Sequence, residues 1–322
     1  MENSYKFEVL ANEKRLDVFL SKHLNLSRTK VSFLILNSCV KINNKIILKN
    51  NIPLKVNDLV EAKFNSNIFQ STTNELKPYN LKLDVVYEDE DLIIINKPKN
   101  LITHPTTHNN ETTLVNALIN HLNKFSSKKE NNHIYMVHRL DKNTTGLIIA
   151  AKNFKALSNL QEQIKSREMK RFYLAIVNYP FNELMGTIDA PIGRINGSDS
   201  IKFTVINAKN PKKSITKFYV LDQTNRYALI KCELLTGRTH QIRVHMSFIE
   251  HWILNDPLYG IKGQNLNNEY NQYLHAYQLE FIHPTLNKKL FFECNLDQEF
   301  NKKLKELNLS IDKSINDIEY IE

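Results

Sequence analysis

The run of apolar and polar positions divides the 322-residue chain into two stretches of different grain. Near the start, KRLDVFLSKHL sets Leu16, Phe19, Leu20 and Leu24 at helical spacing. Ser27 precedes RTKVSFLILN as the N-cap of a second predicted helix. Short strand-like pieces follow: CVKIN, KIILKN beyond an Asn-Asn turn, and DLVEAKF after Pro53. Residues 14–63 should therefore form a small compact unit. The polar, aperiodic NSNIFQSTTNELKPYNL over 64–80 reads as a linker.

From residue 81 the elements lengthen. LDVVYEDEDLIIINKP predicts two strands around an acidic turn, and TTLVNALINHL a helix with Leu114, Leu118 and His121 on one face. IYMVHRLD and GLIIAAK read as strands either side of a polar turn. Asn153 caps an amphipathic helix, FKALSNLQEQIKS. KRFYLAIV, KSITKFYVL, RYALIKCELL and KLFFECN are expected strands, and THQIRVHMSFI the last clear helix. Strands outnumber helices and do not alternate with them, so the expected class is α+β with a mixed, mostly antiparallel sheet over 81–322.

Charge adds a partner class to this outline. The chain carries a net +9, and residues 1–63 hold 11 Lys or Arg against 6 Asp or Glu, about half of the excess. Arg15, Arg28 and Lys30 fall at polar positions of the first unit, where phosphate contacts with RNA or plain solvation would both suit them. No apolar run has the roughly 18 residues of a membrane span, and the N-terminus has no signal-peptide core. Cys39, Cys232 and Cys294 are odd in number and far apart, which suits a reducing cytoplasm better than a disulfide framework.

Chemistry concentrates in MVHRLDKNTTGLIIAAK, where Asp141 sits in a polar turn beside Arg139. An Asp before Lys-Asn-Thr-Thr-Gly is by itself an ordinary turn former. Three further stretches change its weight. REMKRFYLAIV puts Tyr173 in a strand with basic neighbours. LLTGRTHQIRVHM packs Arg238, His240, Gln241, Arg243 and His245 after a strand, and LNDPLYG adds a tight turn. A carboxylate, arginines able to pair with it and an aromatic platform suit the handling of a nucleobase. His240 and His245 are five apart rather than four, so no helical zinc pair is expected.

Taken in order, DLIIINKPKNLITHP, VHRLDKNTTGLIIAAK, KRFYLAIV and LLTGRTHQIRVHM resemble the RluA/RluD-type pseudouridine synthases over residues 81–295. The stretch 14–63 is similar to the alpha-L RNA-binding module appended to several RNA-modifying enzymes. The resemblance implies isomerisation of uridine in RNA, with Asp141 as nucleophile, Tyr173 stacking on the uracil and Arg243 pairing with the aspartate. Arg139 would fill the space of the flipped base. RNA contacts would fall to His138, Arg238, His240 and Gln241, and in the first module to Arg15, Arg28 and Lys30. Asn100, Asn143, Asn178, Asn255 and Trp252 depart from the family's usual residues, in loops that bear on target choice.

These features imply no cofactor and no metal. The expected partner is RNA, ribosomal RNA of the large subunit before tRNA, with specificity in loops 105–112 and 194–213, and a monomer is the default. Two other classes stay open: a catalytically idle RNA-binding assembly factor, and a glycoside hydrolase, which would need a second catalytic acid that no motif supplies.

Overall fold

A computed structural model of the chain describes residues 2–26, 28–65, 77–104, 112–125, 134–195, 202–261 and 271–311. It divides into two compact units, Met1–Leu76 and Lys77–Glu322. Among the described residues no helix is long and apolar enough to cross a membrane.

The first unit runs β1 (Glu2–Glu8), α1 (Leu16–Leu24), α2 (Arg28–Leu36), β2 (Val40–Ile42), β3 (Lys45–Ile46) and β4 (Leu59–Asn65). Asn43 and Asn44, at φ 49° and 65°, make the tight turn between β2 and β3, a left-handed geometry that Asn tolerates and that matches hairpin twist. Leu16, Phe19 and Leu20 of α1 and Val31, Leu34 and Ile35 of α2 are buried against this sheet, as their spacing predicts. Ser27, the expected cap of α2, lies outside the described residues. β1 pairs antiparallel with β4 over its whole length, so the unit also recruits residues upstream of 14. KIILKN shortens to the two residues of β3, and residues 64–65 belong to β4 rather than to a linker.

The second unit opens with β5 (Asp84–Glu88), β6 (Leu92–Lys97), α3 (Leu114–Phe125), β7 (Tyr135–Met136), β8 (Thr145–Ala151), α4 (Phe154–Ser166) and β9 (Lys170–Asn178). It continues with β10 (Met185–Asp189), β11 (Ile192–Ile195), β12 (Phe203–Thr204), β13 (Ala208–Lys212), β14 (Ile215–Gln223) and β15 (Tyr227–Leu234). α5 (Gln241–Phe248), β16 (Leu274–Ile282), β17 (Lys289–Glu293) and α6 (Gln298–Glu306) complete it. The main sheet has the order β10-β14-β15-β9-β16-β8-β6-β5, with β7 on β8 and β17 on β16, while β11, β12 and β13 form a small separate sheet. Every pairing in the main sheet is antiparallel except β16 with β8, so the α+β class and the mixed, mostly antiparallel sheet are as expected.

β16 lies at the centre of the sheet yet has no clear pattern in the sequence: His275, Tyr277 and Gln278 interrupt its apolar run, and only burial from both sides makes it a strand. α6 is a further helix beyond α5, capped by Asp297, whose side chain accepts from Phe300 N, and held by just Phe300 and Leu304. Asn153 caps α4 through Ala156 N at 2.8 Å.

Both faces of the sheet are buried. Ile148 and Ala150 of β8, Tyr173, Ala175 and Val177 of β9, and Ile230 and Cys232 of β15 share one face with Leu118 of α3 and Ile242 and Met246 of α5. On the other, α4 and α6 cover Leu147 and Ile149 of β8 and Leu174 and Ile176 of β9. The strand-end loops bearing Asp141 and α5 therefore meet over the face that carries Tyr173.

Candidate active site

Asp141 lies in the loop between β7 and β8, with the turn closed by Thr144 N donating to the Asp141 carbonyl at 3.1 Å. The strand expected through IYMVHRLD stops at Met136, so His138, Arg139 and Asp141 are all loop residues. Gly146, at φ 103°, takes the chain out of this loop: a Cβ there would lie 2.2 Å from the Ala276 carbonyl of β16. Only Gly permits that approach.

The loop is also fastened from behind. Lys97, fully buried at the end of β6, donates from Nζ to the carbonyls of Pro98, Leu101 and Lys142 at 2.8, 3.0 and 3.1 Å. Burial pulls this amine down to about 7, and the Asp141 charge works against the shift. Thr103 Oγ1 donates to the Leu140 carbonyl at 2.8 Å and accepts from Leu140 N at 3.3 Å. Both neighbours of Asp141 in the chain are thus pinned while its own side chain stays 15% exposed.

Arg243 of α5 supplies the charge. Its Nη1 donates to Asp141 Oδ2 at 2.8 Å, and the guanidinium is otherwise buried. Nε and Nη2 donate to Asp256 Oδ2 and Oδ1 at 2.6 and 2.8 Å, a bidentate pair that fixes the fork. Burial alone would lower the Arg243 pKa; the hydrogen bonds and charge of Asp256, with the charge of Asp141, reverse this and raise it.

Asp256, unmarked by any motif in the sequence, is the second carboxylate of the site. Its carboxylate is completely buried, and Oδ1 also accepts from Leu258 N and Tyr259 N at 2.9 and 3.0 Å. The sequence signal for it is LNDPLYG, whose pattern by itself predicts only a tight turn. Asn255 before it takes φ 59°, a left-handed geometry suited to Asn at a family-atypical position.

Tyr259 of the same turn places its ring 5.1 Å from the Arg243 guanidinium carbon. Its Oη lies 2.8 Å from His240 Nδ1 and accepts from Phe203 N at 2.9 Å. Burial pushes this phenol up to about 12. His240 Nε2 faces Asp141 Oδ1 at 3.8 Å, and burial lowers the imidazole pKa despite that carboxylate. With neutral His240 accepting the Tyr259 hydroxyl proton on Nδ1, the proton on Nε2 points toward Asp141.

Tyr173, buried on β9, lines a cavity of about 50 Å³ together with Asp141, Arg139, His240 and Arg243. Burial raises its phenol to about 12. A neighbouring cavity of about 650 Å³ shares Asp141, Tyr173, Arg139 and Arg238. Arg139 and Arg238 are exposed, Arg238 donating from Nε to the Lys213 carbonyl at 3.1 Å.

Other expected contacts are turned inward. Gln241 accepts on Oε1 from Thr236 Oγ1 and Arg238 N and donates from Nε2 to Ile215 O and Thr216 Oγ1. Its amide is spent holding the start of α5, so it has no group left for RNA. His138 is bound on one side only: Nε2 accepts from Ile149 N at 3.3 Å, and burial with the Arg171 charge pulls the ring down to about 3. His245 bridges Thr216 Oγ1 and Ala190 O, a core role. In the first unit Arg15 and Arg28 do not stand free: both donate to Asp17, at 2.8 and 2.7 Å, while their side chains stay 44% and 57% exposed. Lys30 is exposed on α2. Of the expected specificity loops, 105–112 falls outside the described residues except for its last position, whereas 194–213 is described apart from 196–201 and is largely β11, β12 and β13 of the small sheet rather than loop.

Residues 91–248 match the family model described as RNA pseudouridylate synthase, and residues 14–60 match the S4 domain. The chain is 46% identical over 303 residues to an uncharacterised RNA pseudouridine synthase of Mycoplasma genitalium, covering 94% of this chain and 96% of that protein. It is 35% identical over 306 residues to a protein named ribosomal large subunit pseudouridine synthase D from Zymomonas mobilis, covering 92% and 94%. Among solved structures, human RNA pseudouridylate synthase domain containing 4 matches with a TM-score of 0.58 at 27% identity, covering 70% of this chain and 93% of that one. The chain therefore belongs to the RNA pseudouridine synthase family. It is an RNA-modifying isomerase with an N-terminal S4 module.

Proposed function

We propose that this enzyme isomerises specific uridines of large-subunit ribosomal RNA, acting as a cytoplasmic monomer with Asp141 as its nucleophile. The observation that carries the reading is the 2.8 Å bond from Arg243 to a partly exposed Asp141 in a cavity shared with Tyr173. Isomerisation breaks a glycosidic bond and builds positive character on the ribose. An ionised carboxylate can stabilise that charge, attack it or take a ribose proton. Oδ2 is engaged by Arg243, which leaves Oδ1, 3.8 Å from His240 Nε2, as the reacting oxygen.

Extracting the target base from its stack costs a few kcal/mol. Stacking on an aromatic ring returns roughly 1–3 kcal/mol, and Tyr173 is the aromatic beside Asp141. Exposed Arg139 and Arg238 at the rim suit the flanking RNA strand. Support for the ribosomal target comes from the name of the Zymomonas mobilis relative.

Pseudouridine mapping of total RNA from cells with and without the gene tests this, with Asp141→Ala as complement. Loss of sites in large-subunit ribosomal RNA that the variant fails to restore is the expected result. Lost sites in tRNA would move the target. Survival of every site would leave a ribosome-assembly role as the better reading.

A further inference from the structure

Arg171 precedes Tyr173 by two residues on β9, so the two side chains leave the same face of the sheet, about 7 Å apart along the strand. It is 5% exposed, and no carboxylate among the described residues lies within ion-pair distance. Nη2 reaches the Leu234 carbonyl at 3.3 Å, and Nε has no hydrogen-bond partner. A buried arginine without a carboxylate is rare because its charge is then uncompensated.

A second unsatisfied group stands near it. His138 accepts from Ile149 N on Nε2, which puts the ring proton on Nδ1; Nδ1 is buried and makes no hydrogen bond of good geometry, the Arg139 backbone being the one group that favours its protonated form. Arg171 is the charge that, after burial, holds this imidazole neutral. Both residues line the cavity of about 650 Å³ that borders Asp141 and Tyr173. Arg139, Lys165, Arg167, Lys213 and Arg238 line it too, and Asp141 is the sole acid among its lining residues. Gly237 keeps the space beside the guanidinium clear: a Cβ there would lie 2.9 Å from Arg171 Nη1.

We infer that Arg171, with His138 Nδ1–H beside it, forms a subsite for a backbone phosphate of the bound RNA, next to the nucleotide whose base meets Tyr173. A phosphate offers two oxygens to a guanidinium fork and a third to the imidazole N–H. Ligand would thus supply the counter-charge that the protein withholds, which makes the site selective for a polyanion. The inference rests on the reading of this cavity as the RNA channel and deepens it.

The test uses full-length wild-type, Arg171→Met and Arg171→Lys proteins with a fluorescent single-stranded oligouridylate, its affinity followed across a KCl titration. Arg171→Met should bind at least about tenfold more weakly, and its slope of log affinity against log salt should be smaller by ~0.7. Its melting temperature should be unchanged or higher, since an unpaired buried charge has gone. Arg171→Lys should keep the slope with weaker affinity, because one ammonium replaces a fork. Wild-type affinity and slope in Arg171→Met, or a sharp fall in its melting temperature alongside binding, would overturn the subsite. If Arg171→Met fails to fold, Arg171→Lys decides, and unchanged affinity there sinks the idea.

Inorganic phosphate separates the two sources of the anion. Arg171-dependent stabilisation by phosphate with Arg171-independent RNA binding would assign the site to free anion and overturn the RNA subsite. Tritium release from uridine-labelled ribosomal RNA by the wild-type protein is scored separately. Its absence would fail the enzymatic reading and leave the binding result standing.

Discussion

Asp256 grips Arg243 through Nε and Nη2, leaving Nη1 as the one guanidinium nitrogen that reaches Asp141. The electrostatic partner of Asp141 is thus itself held by a second, wholly buried carboxylate. Net charge at the site depends on all three groups, and Asp256, with the Tyr259 ring beside the guanidinium, sets the direction of the Arg243–Asp141 bond.

Asp256→Asn should for that reason lower kcat more than it raises KM. The neutral amide keeps the shape but loses one fork acceptor and leaves Arg243 freer to turn. A loss of 10- to 100-fold in kcat, about 1.4–2.8 kcal/mol of barrier, is the expected size. Breaking a buried pair costs about 3–5 kcal/mol of stability, so the melting temperature should fall too. Single-turnover tritium release beside a thermal melt reads both. A wild-type kcat in a folded variant would show that Arg243 needs no anchor.

Tyr259→Phe removes the hydroxyl that joins Phe203 N to His240 Nδ1. His240 then loses the bond that sets its tautomer, and Nε2–H no longer faces Asp141 by default. The expected cost is about 3- to 10-fold in kcat, on the order of 1 kcal/mol, as for one neutral hydrogen bond. A kcat indistinguishable from wild type would remove His240 from the electrostatics of the site.

Gly146→Ala tests the packing beneath the Asp141 loop. The added methyl would meet the Ala276 backbone at 2.2 and 2.7 Å, and φ 103° is strained for any side chain. Destabilisation of about 3 kcal/mol or more should follow. Chemical denaturation of the purified variant gives the figure. A loss under about 1 kcal/mol would mean that β8 and β16 can separate without harm.

Asp17 should make the N-terminal unit acid-sensitive. The hydrogen bond from Arg15 is the main cause, followed among the favourable ones by Arg28, that its carboxyl is held down at about 2. An unfolded Asp titrates near ~3.9. The native state therefore gains stability above that value and loses it as pH falls toward 2, a contribution on the order of 2 kcal/mol. Thermal melts of full-length protein from about pH 5 to pH 2 should show a first transition that falls steeply in wild type and less in Asp17→Asn. Parallel curves would assign the acid sensitivity to other carboxylates.

Local pattern made much of this molecule legible. α1, α2, α3 and α4 follow from apolar spacing and, for α4, from the Asn153 cap; β5 and β6 follow from two apolar runs around an acidic turn. Asp141, Tyr173 and Arg243 stood out because their segments are long and chemically distinct. β16 and α6 escaped because tertiary burial, not periodicity, makes them, and Asp256 escaped because one buried Asp in a turn looks like any other.

The sequence by itself determined the class of chemistry, since side-chain type fixes which groups can carry charge, stack or bind phosphate. Tertiary structure alone decided which of those groups are free to act. Gln241 and His245 have their amide and ring groups engaged inside the fold, and Arg15 and Arg28 share one aspartate. Arg171 has an unused buried donor. The reason is physical: a hydrogen-bonding group must find its partner wherever the fold brings one near, and contacts such as Asp141 with Arg243, 102 residues apart, exist only after folding.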